Sequence, residues 1–265
     1  KRNKLYKNFF SEQVVKKIIK KFGKAKIITI TNVLAHVDNV NNLVKNVKKL
    51  LHEDGIFVIE VPYLFDMFNK GSFDVIYHEH LSYFSVHSLN KLLDQNGLKV
   101  TYLKNINFGA SGPAIRVFVS HKNSSYSKSK NLNMKLNFEK RGRIDKKVTY
   151  TKFRNSINLI TNKLKKKIYS LTNKNEDLAC YTAPAKGNTL LNYLKLKKGT
   201  LKYVSENNNK KIGKYTPGTH IKIVTDDFLI KNKIKYALLL SWNYKNFFLK
   251  KSKFIKSGGK FIIPF

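Results

Sequence analysis

The chain is short of cysteine, acidic residues, glycine-rich turns and long apolar runs, and each shortage removes a class of protein. One cysteine, Cys180, rules out an internal disulfide or a multi-cysteine zinc site within these 265 residues. That count suits a reducing cytoplasm, the expected location. No apolar run reaches the ~20 residues of a membrane-spanning helix, so no membrane partner is expected. The basic opening KRNKLYKNFF lacks the apolar core of a signal peptide. Neither zinc-finger spacing nor an aromatic-glycine RNA-binding signature occurs, and there is no Gly-x-Gly-x-x-Gly. Acidic residues number 16 against 52 lysines and arginines, for a formal net charge of +36. That excess invites a nucleic-acid reading, but its distribution argues against one. The lysines run from Lys1 to Lys260 through every kind of segment, and the arginines are few. Lys, Asn and Ile are abundant together, as AT-biased coding favours. No nucleic-acid partner is expected, although a diffuse positive field would draw an anionic small molecule toward a cleft.

What is present is a folded α/β pattern: 42% of residues are hydrophobic and 12% aromatic. KAKIITITNVLAHV (24–37) reads as a buried strand ending in a polar loop, VNNLVKNVKKLL (40–51) as a helix, HEDG (52–55) as a turn and IFVIEVP (56–62) as the next strand. LNKLLDQNGLKVTYL (89–103) gives a helix, a Gly97 stop and a strand, and PAIRVFVSHK (113–122) a last strand suited to antiparallel pairing. Residues 123–176 open as a Ser/Lys-rich linker and continue as helix, with one apolar stripe around 153–171. Alternation then resumes: DLACYTA as strand, PAKGNT as loop, LLNYLK as helix and KYVSE as strand. A long polar loop through KYTPGTHIKIV follows, then the strands KYALLLSWN and GGKFIIPF. Strand–helix alternation of this kind implies two doubly wound modules joined by a helical linker. The first module has no glycine-rich opening, since KNFFSEQVVKKIIKKFG (7–23) is already a helix, so the chain reads as the later part of a longer protein.

Two stretches carry chemistry. YHEHLSYF (77–84) crowds two histidines, a glutamate and two tyrosines together. If extended, Tyr77 and Glu79 share one face and His78 and His80 the other; if helical, Tyr77 and His80 are neighbours. A metal site is disfavoured, because the zinc-protease pattern sets its histidines a full helical turn apart around the glutamate. In PAKGNT, a loop running into a helix start offers free N–H groups to a pyrophosphate. Lys186 adds charge, Gly187 permits close approach, and Asn188 or Thr189 is suited to cap the helix. Arg116 is placed to grip a phosphate bidentately.

Several stretches together resemble the S-adenosylmethionine-dependent C-methyltransferases of nucleotide-linked 4-keto-deoxysugars: NVLAHV (32–37), DGIFVIEVPYL (54–64), FDVIYHEHLSYFS (73–85), APAKGNTLLNY (183–193), GKYTPGTHI (213–221) and SWN (241–243) with GGKFIIPF. They occur in the family's order and cover most of both modules. The resemblance implies that 1–122 is the later part of a class I methyltransferase domain, 123–176 a linker and helical region, and 177–265 a Rossmann-like domain that binds the nucleotide-sugar, dTDP-linked in this family. It implies S-adenosylmethionine as cofactor, with structural zinc confined to an N-terminal segment this chain lacks.

By the same resemblance, His80 is the base that makes an enolate, Tyr77 bonds the ketone oxygen, Glu79 orients a neighbour and His36 lines the pocket. Asn32, where the methyltransferase sheet's fourth strand ends, falls at the methionyl part of the cofactor or at the sugar, and Phe10, of the Phe9-Phe10 pair, at the cofactor. Tyr215 and His220 join Thr216 on a loop facing PAKGNT. The alternative is a non-catalytic fragment that binds a nucleotide-sugar.

Overall fold

A computed structural model describes residues 5–109, 112–127 and 129–265. The chain divides into two compact units, Lys1–Asp66 with Glu79–Lys146, and Met67–His78 with Lys147–Phe265. One division therefore falls inside the crowded octet, between His78 and Glu79.

The first unit opens with α1 (Glu12–Phe22), whose start is capped by the Ser11 hydroxyl accepting the Val14 N–H. β1 (Ala25–Thr31) leads through a 3₁₀ turn (Leu34–His36) to α2 (Val40–Leu50), capped by Asn39, and then to β2 (Leu51–Pro62). α3 (Leu64–Lys70) and a second 3₁₀ turn (Phe73–Val75) carry the chain across the division. Back in the first unit are α4 (Val86–Gln95), β3 (Leu98–Gly109), β4 (Gly112–His121) and α5 (Lys130–Arg141). The sheet order is β1-β2-β4-β3. β1 and β2 run parallel, and β4 is antiparallel to both its neighbours. Phe57, Ile59 and Val61 of β2 alternate into the core, as a central strand with one covered face requires.

Two local expectations are corrected. HEDG is not a separate turn but an irregularity inside β2, where the register to β1 shifts between Ala25 and Ile27. β1 is an edge strand, with Ile27 71% exposed; an apolar run specifies a strand but not how many neighbours it has.

The second unit begins with the long α6 (Lys147–Thr172), which buries Phe153, Ile157, Thr161, Leu164 and Ile168 at helical spacing. β5 (Leu178–Tyr181), α7 (Ala185–Leu194), β6 (Tyr203–Ser205), β7 (Lys222–Val224), α8 (Asp226–Lys231) and β8 (Tyr236–Leu239) follow. A 3₁₀ turn (Trp242–Tyr244), α9 (Lys245–Lys251), α10 (Lys253–Lys256) and β9 (Lys260–Ile262) complete the chain. All five strands are parallel, in the order β7-β6-β5-β8-β9. β5 is buried at all four positions, the pattern of a parallel strand covered on both faces. Both units are thus α/β, as the alternation predicts. The segment read as one linker is shared out: α5 belongs to the first unit and α6 to the second.

Candidate functional site

In the first unit the site grows from the C-terminal end of β1. Asn32 takes a left-handed conformation (φ 54°), which asparagine tolerates better than most residues. Its N–H donates to the Glu60 carbonyl at 2.9 Å, while its side-chain Oδ1 is buried with no hydrogen-bond partner. The chain then turns through Leu34–His36, and the Ala35 carbonyl accepts the N–H groups of Leu81 and Ser82 at 2.8 and 3.2 Å. Those two bonds pin the residues just after His80 beside the turn. The His80 ring, 6% exposed, meets His36 edge-on with centroids 4.8 Å apart, and Tyr83 lies at 6.1 Å. His36 and Glu79 are exposed. The two histidines, 44 positions apart in the chain, are therefore brought together.

The first half of the octet belongs to neither a strand nor a helix. Tyr77–Glu79 form a bend and turn, so neither face rule applies. Downstream, Ser85 caps α4 in a reciprocal box with Ser88. A residue with no sequence signal strengthens that helix start: the buried Glu139 carboxylate, from α5, accepts the N–H groups of Val86 and His87 at 2.6 and 2.9 Å. Burial, with the Glu139 charge, also holds the Tyr63 phenol well above its ordinary pKa.

Arg116 does not present a free fork. Its Nε and Nη2 both donate to Glu60 Oε2, at 2.9 and 2.6 Å across the β2–β4 pair. Phe10 is half-buried ahead of α1, whereas Phe9 is 96% exposed.

In the second unit, PAKGNT is less of a loop than expected. α7 starts at Ala185 with Pro184 as N-cap, so Lys186, Gly187, Asn188 and Thr189 all lie inside the helix, and neither Asn188 nor Thr189 caps it. Proline's fixed φ suits a helix start, a signal that outweighed the capping residues. Gly187 allows a close approach, though of protein: a Cβ there would meet the Leu240 side chain at 2.9 Å. Lys186 is buried, its Nζ donating to Asn243 Oδ1 at 2.6 Å and lying 4.2 Å from the centre of the Trp242 ring. The Trp242 indole N–H donates to the fully buried Asp74 at 2.7 Å. Burial brings the Lys186 pKa down to about 8 despite the opposing pull of Asp74, and burial raises that of Asp74. Asp74 lies within FDVIYHEH but carries no sequence signal of its own, because the tryptophan and lysine that explain it are over 100 residues away.

The loop before β7 is tied to α7, since Asn192 Nδ2 donates to the Pro217 carbonyl at 3.1 Å. Thr216 Oγ1 accepts the Ile221 N–H and pairs with Thr219, while Tyr215 is exposed and His220 has φ 53°. A cleft of about 480 Å³ opens elsewhere in this unit, lined by Tyr181, Thr225, Asp226, Phe247, Phe248 and Lys251 among others; none of the expected site residues borders it. No group of three or more His, Cys, Asp or Glu is arranged to hold a metal, and no helix is long and apolar enough to cross a membrane, among the described residues.

Among known proteins, the chain is similar to the C-methyltransferase NovU of Streptomyces niveus, 29% identical over 256 residues. That match spans 96% of this chain but 60% of the relative's length. Solved structures include the mitomycin 7-O-methyltransferase MmcR, 16% identical with TM-score 0.29 over 37% of this chain and 30% of that one. Another is the magnesium protoporphyrin IX methyltransferase of Synechocystis PCC 6803 with bound SAH, at 11% and 0.30 over 37% and 45%. A family model described as a methyltransferase domain matches residues 2–103. The model described as the C-methyltransferase C-terminal domain matches residues 109–265, more than half of the sequence, and the chain belongs to the C-methyltransferase family.

Proposed function

We propose that this chain forms the catalytic and sugar-binding part of an S-adenosylmethionine-dependent enzyme that methylates a carbon of a nucleotide-linked, dTDP-type 4-keto-deoxysugar. The observation that carries the reading is the His80 ring, buried and packed on His36 beside the turn that follows β1. A carbon next to a ketone is a poor nucleophile until it loses a proton. Histidine titrates near neutrality without large perturbation, and a positioned base contributes about 10²–10⁴-fold. His80 is the residue that takes the proton, with His36 supporting the ring from its edge. Tyr77 directs its hydroxyl at the ketone oxygen as negative charge gathers there, a contact worth about 3 kcal/mol in comparable oxyanion sites. Glu79, exposed in the intervening turn, orients a neighbour.

Asn32 fits the cofactor's demands. An unpartnered, buried carbonyl oxygen at a strand's C-terminal end is an acceptor for an ammonium such as the methionyl part carries. Phe10 offers that group an apolar wall. Bound S-adenosylmethionine would supply the electrophilic methyl. On the sugar-nucleotide side, Asn188 and Thr189 of α7, with Tyr215 and His220 of the loop tied to it, offer polar groups; Arg116, in the first unit, pairs with Glu60 and is not a free anion grip. The test supplies the full-length protein with S-adenosylmethionine and a nucleotide 4-keto-deoxysugar, and follows hydrogen exchange at the carbon beside the ketone. Exchange that depends on His80 supports the reading; methyl appearing on oxygen or nitrogen refutes it.

A further inference from the structure

Three stretches far apart in the sequence meet in one buried polar knot of the second unit: FDVI (73–76), AKGN (185–188) and SWN (241–243). Asp74 is 0% exposed, Lys186 6%, Asn243 7% and Trp242 9%. A carboxylate with no access to water costs several kcal/mol unless it is paired and hydrogen-bonded. Here Trp242 donates its indole N–H to Oδ2, while Oδ1 has no hydrogen bond of its own. Burial raises the Asp74 pKa, and the attraction of Lys186, the Trp242 bond and the backbone N–H groups of Asp74 and Val75 oppose that rise. Lys186 in turn is held over the indole face, a favourable place for a desolvated cation, and is tethered by Asn243.

The packing around this knot is aromatic. The Phe73 ring contacts Tyr193 of α7 at 4.6 Å and Phe265 at 5.9 Å, and Phe265 contacts Trp242 at 5.0 Å. Thr189 reaches the Ile76 carbonyl at 3.5 Å, and the Ile76 N–H closes the 3₁₀ turn on the Phe73 carbonyl at 2.9 Å. These contacts tie residues 73–76 to α7, the segment after β8 and the closing residue, and Tyr77 is next in the chain.

We propose that Asp74, Trp242 and Lys186 form an internal clamp that positions Tyr77, making Lys186 a positioning residue and not a ligand of the nucleotide-sugar's phosphates. The catalytic consequence rests on the role given to Tyr77 above; the clamp itself does not. An ammonium seated over an indole, bonded to Asn243 and belonging to a residue only 6% exposed is committed to protein partners, and the Asp74 carboxyl beside it disfavours an incoming anion. The titratable groups set against Trp242 are Asp74 from the 3₁₀ turn and Lys186 from α7. The turn after β8 adds the neutral Asn243, and the chain's last residue adds the Phe265 ring.

Trp242 is the only tryptophan, so its fluorescence reports the clamp directly. The expected result is a change in indole emission as Lys186 loses its proton, with a midpoint near pH 8, absent in Lys186→Met. Trp242→Phe keeps a ring but removes the donor to Asp74, and should speed hydrogen exchange at the Ile76 amide about tenfold, the scale of one lost bond to a charged group. A flat fluorescence profile, a step retained in Lys186→Met, or unchanged Ile76 exchange would each overturn the clamp. With the full-length enzyme and its nucleotide-sugar, Lys186→Met should lower kcat with KM held within about threefold; a raised KM at unchanged kcat would instead make Lys186 a phosphate ligand. The first two measurements involve no methyl transfer, so they separate failure of the clamp from failure of the enzymatic reading.

Discussion

Glu139→Ala is the perturbation whose cost the geometry defines most closely. The wild-type carboxylate, 1% exposed, accepts the N–H groups of Val86 and His87, the first two residues of α4. Helix starts leave such donors without intrahelical partners, and a negative charge there also meets the helix dipole favourably. Alanine removes both acceptors, and a buried donor left unsatisfied costs about 1–3 kcal/mol. With partial repair by water, the sum is about 3 kcal/mol. Glu139→Gln keeps one acceptor oxygen but turns an NH2 toward the other donor, so its cost is about half as large. Native-state hydrogen exchange of α4 is the assay, since each ~1.4 kcal/mol is a factor of ten in the opening equilibrium. Alanine should speed exchange more than 100-fold by that scale, and glutamine about tenfold. If Glu139→Ala exchanges within about twofold of wild type, the carboxylate does not hold this helix start. The matter bears on chemistry because α4 begins immediately after the segment that carries His80.

Two further outcomes follow from burial and backbone conformation. Cys180 is fully buried in β5 and desolvation pushes its thiol far up, so a thiol reagent should label the folded chain negligibly and label it fully in denaturant; rapid native labelling would contradict the placement of β5. Gly218 has φ 77°, and a Cβ there would collide with the Asn192 amide that bonds Pro217. Gly218→Ala should therefore cost about 1–2 kcal/mol in urea unfolding, and an unchanged midpoint would remove that tie between α7 and the loop.

The sequence was most informative where a pattern is local. α2 and α4 are written in apolar spacing, and the Gly97 stop is a left-handed residue with φ 72°. The antiparallel β4 follows from its position after a helix-linked strand, and it pairs as expected. It was least informative for elements that exist only through neighbours. β7 has three residues, too few for a period, and lies at the end of KYTPGTHIKIV, read as a polar loop; it is a strand because β6 completes its hydrogen bonds, whereas the equally short β6 and β9 fall in stretches read as strands. α8, α9 and α10, of six, seven and four residues, lie in stretches to which the sequence pattern assigned no element. Among site residues, His36 and His80 could be named from motifs, but their ring contact depends on Ala35 accepting two N–H groups from across the fold. Lys186 was legible as a charge, whereas its direction was not: which way a lysine points is decided by the cavity it fills, and here Asp74, Trp242 and Asn243 supply one.

The central claim is that His80 strips a proton from the carbon beside the sugar's ketone. Its most direct test is deuterium wash-in at that carbon, followed by NMR on the nucleotide 4-keto-deoxysugar with full-length wild-type protein and with His80→Asn. The account predicts enzyme-dependent exchange that falls about 10²-fold or more in the variant, while α4 hydrogen exchange stays as in wild type. Exchange proceeding at the same rate without the His80 imidazole would contradict it.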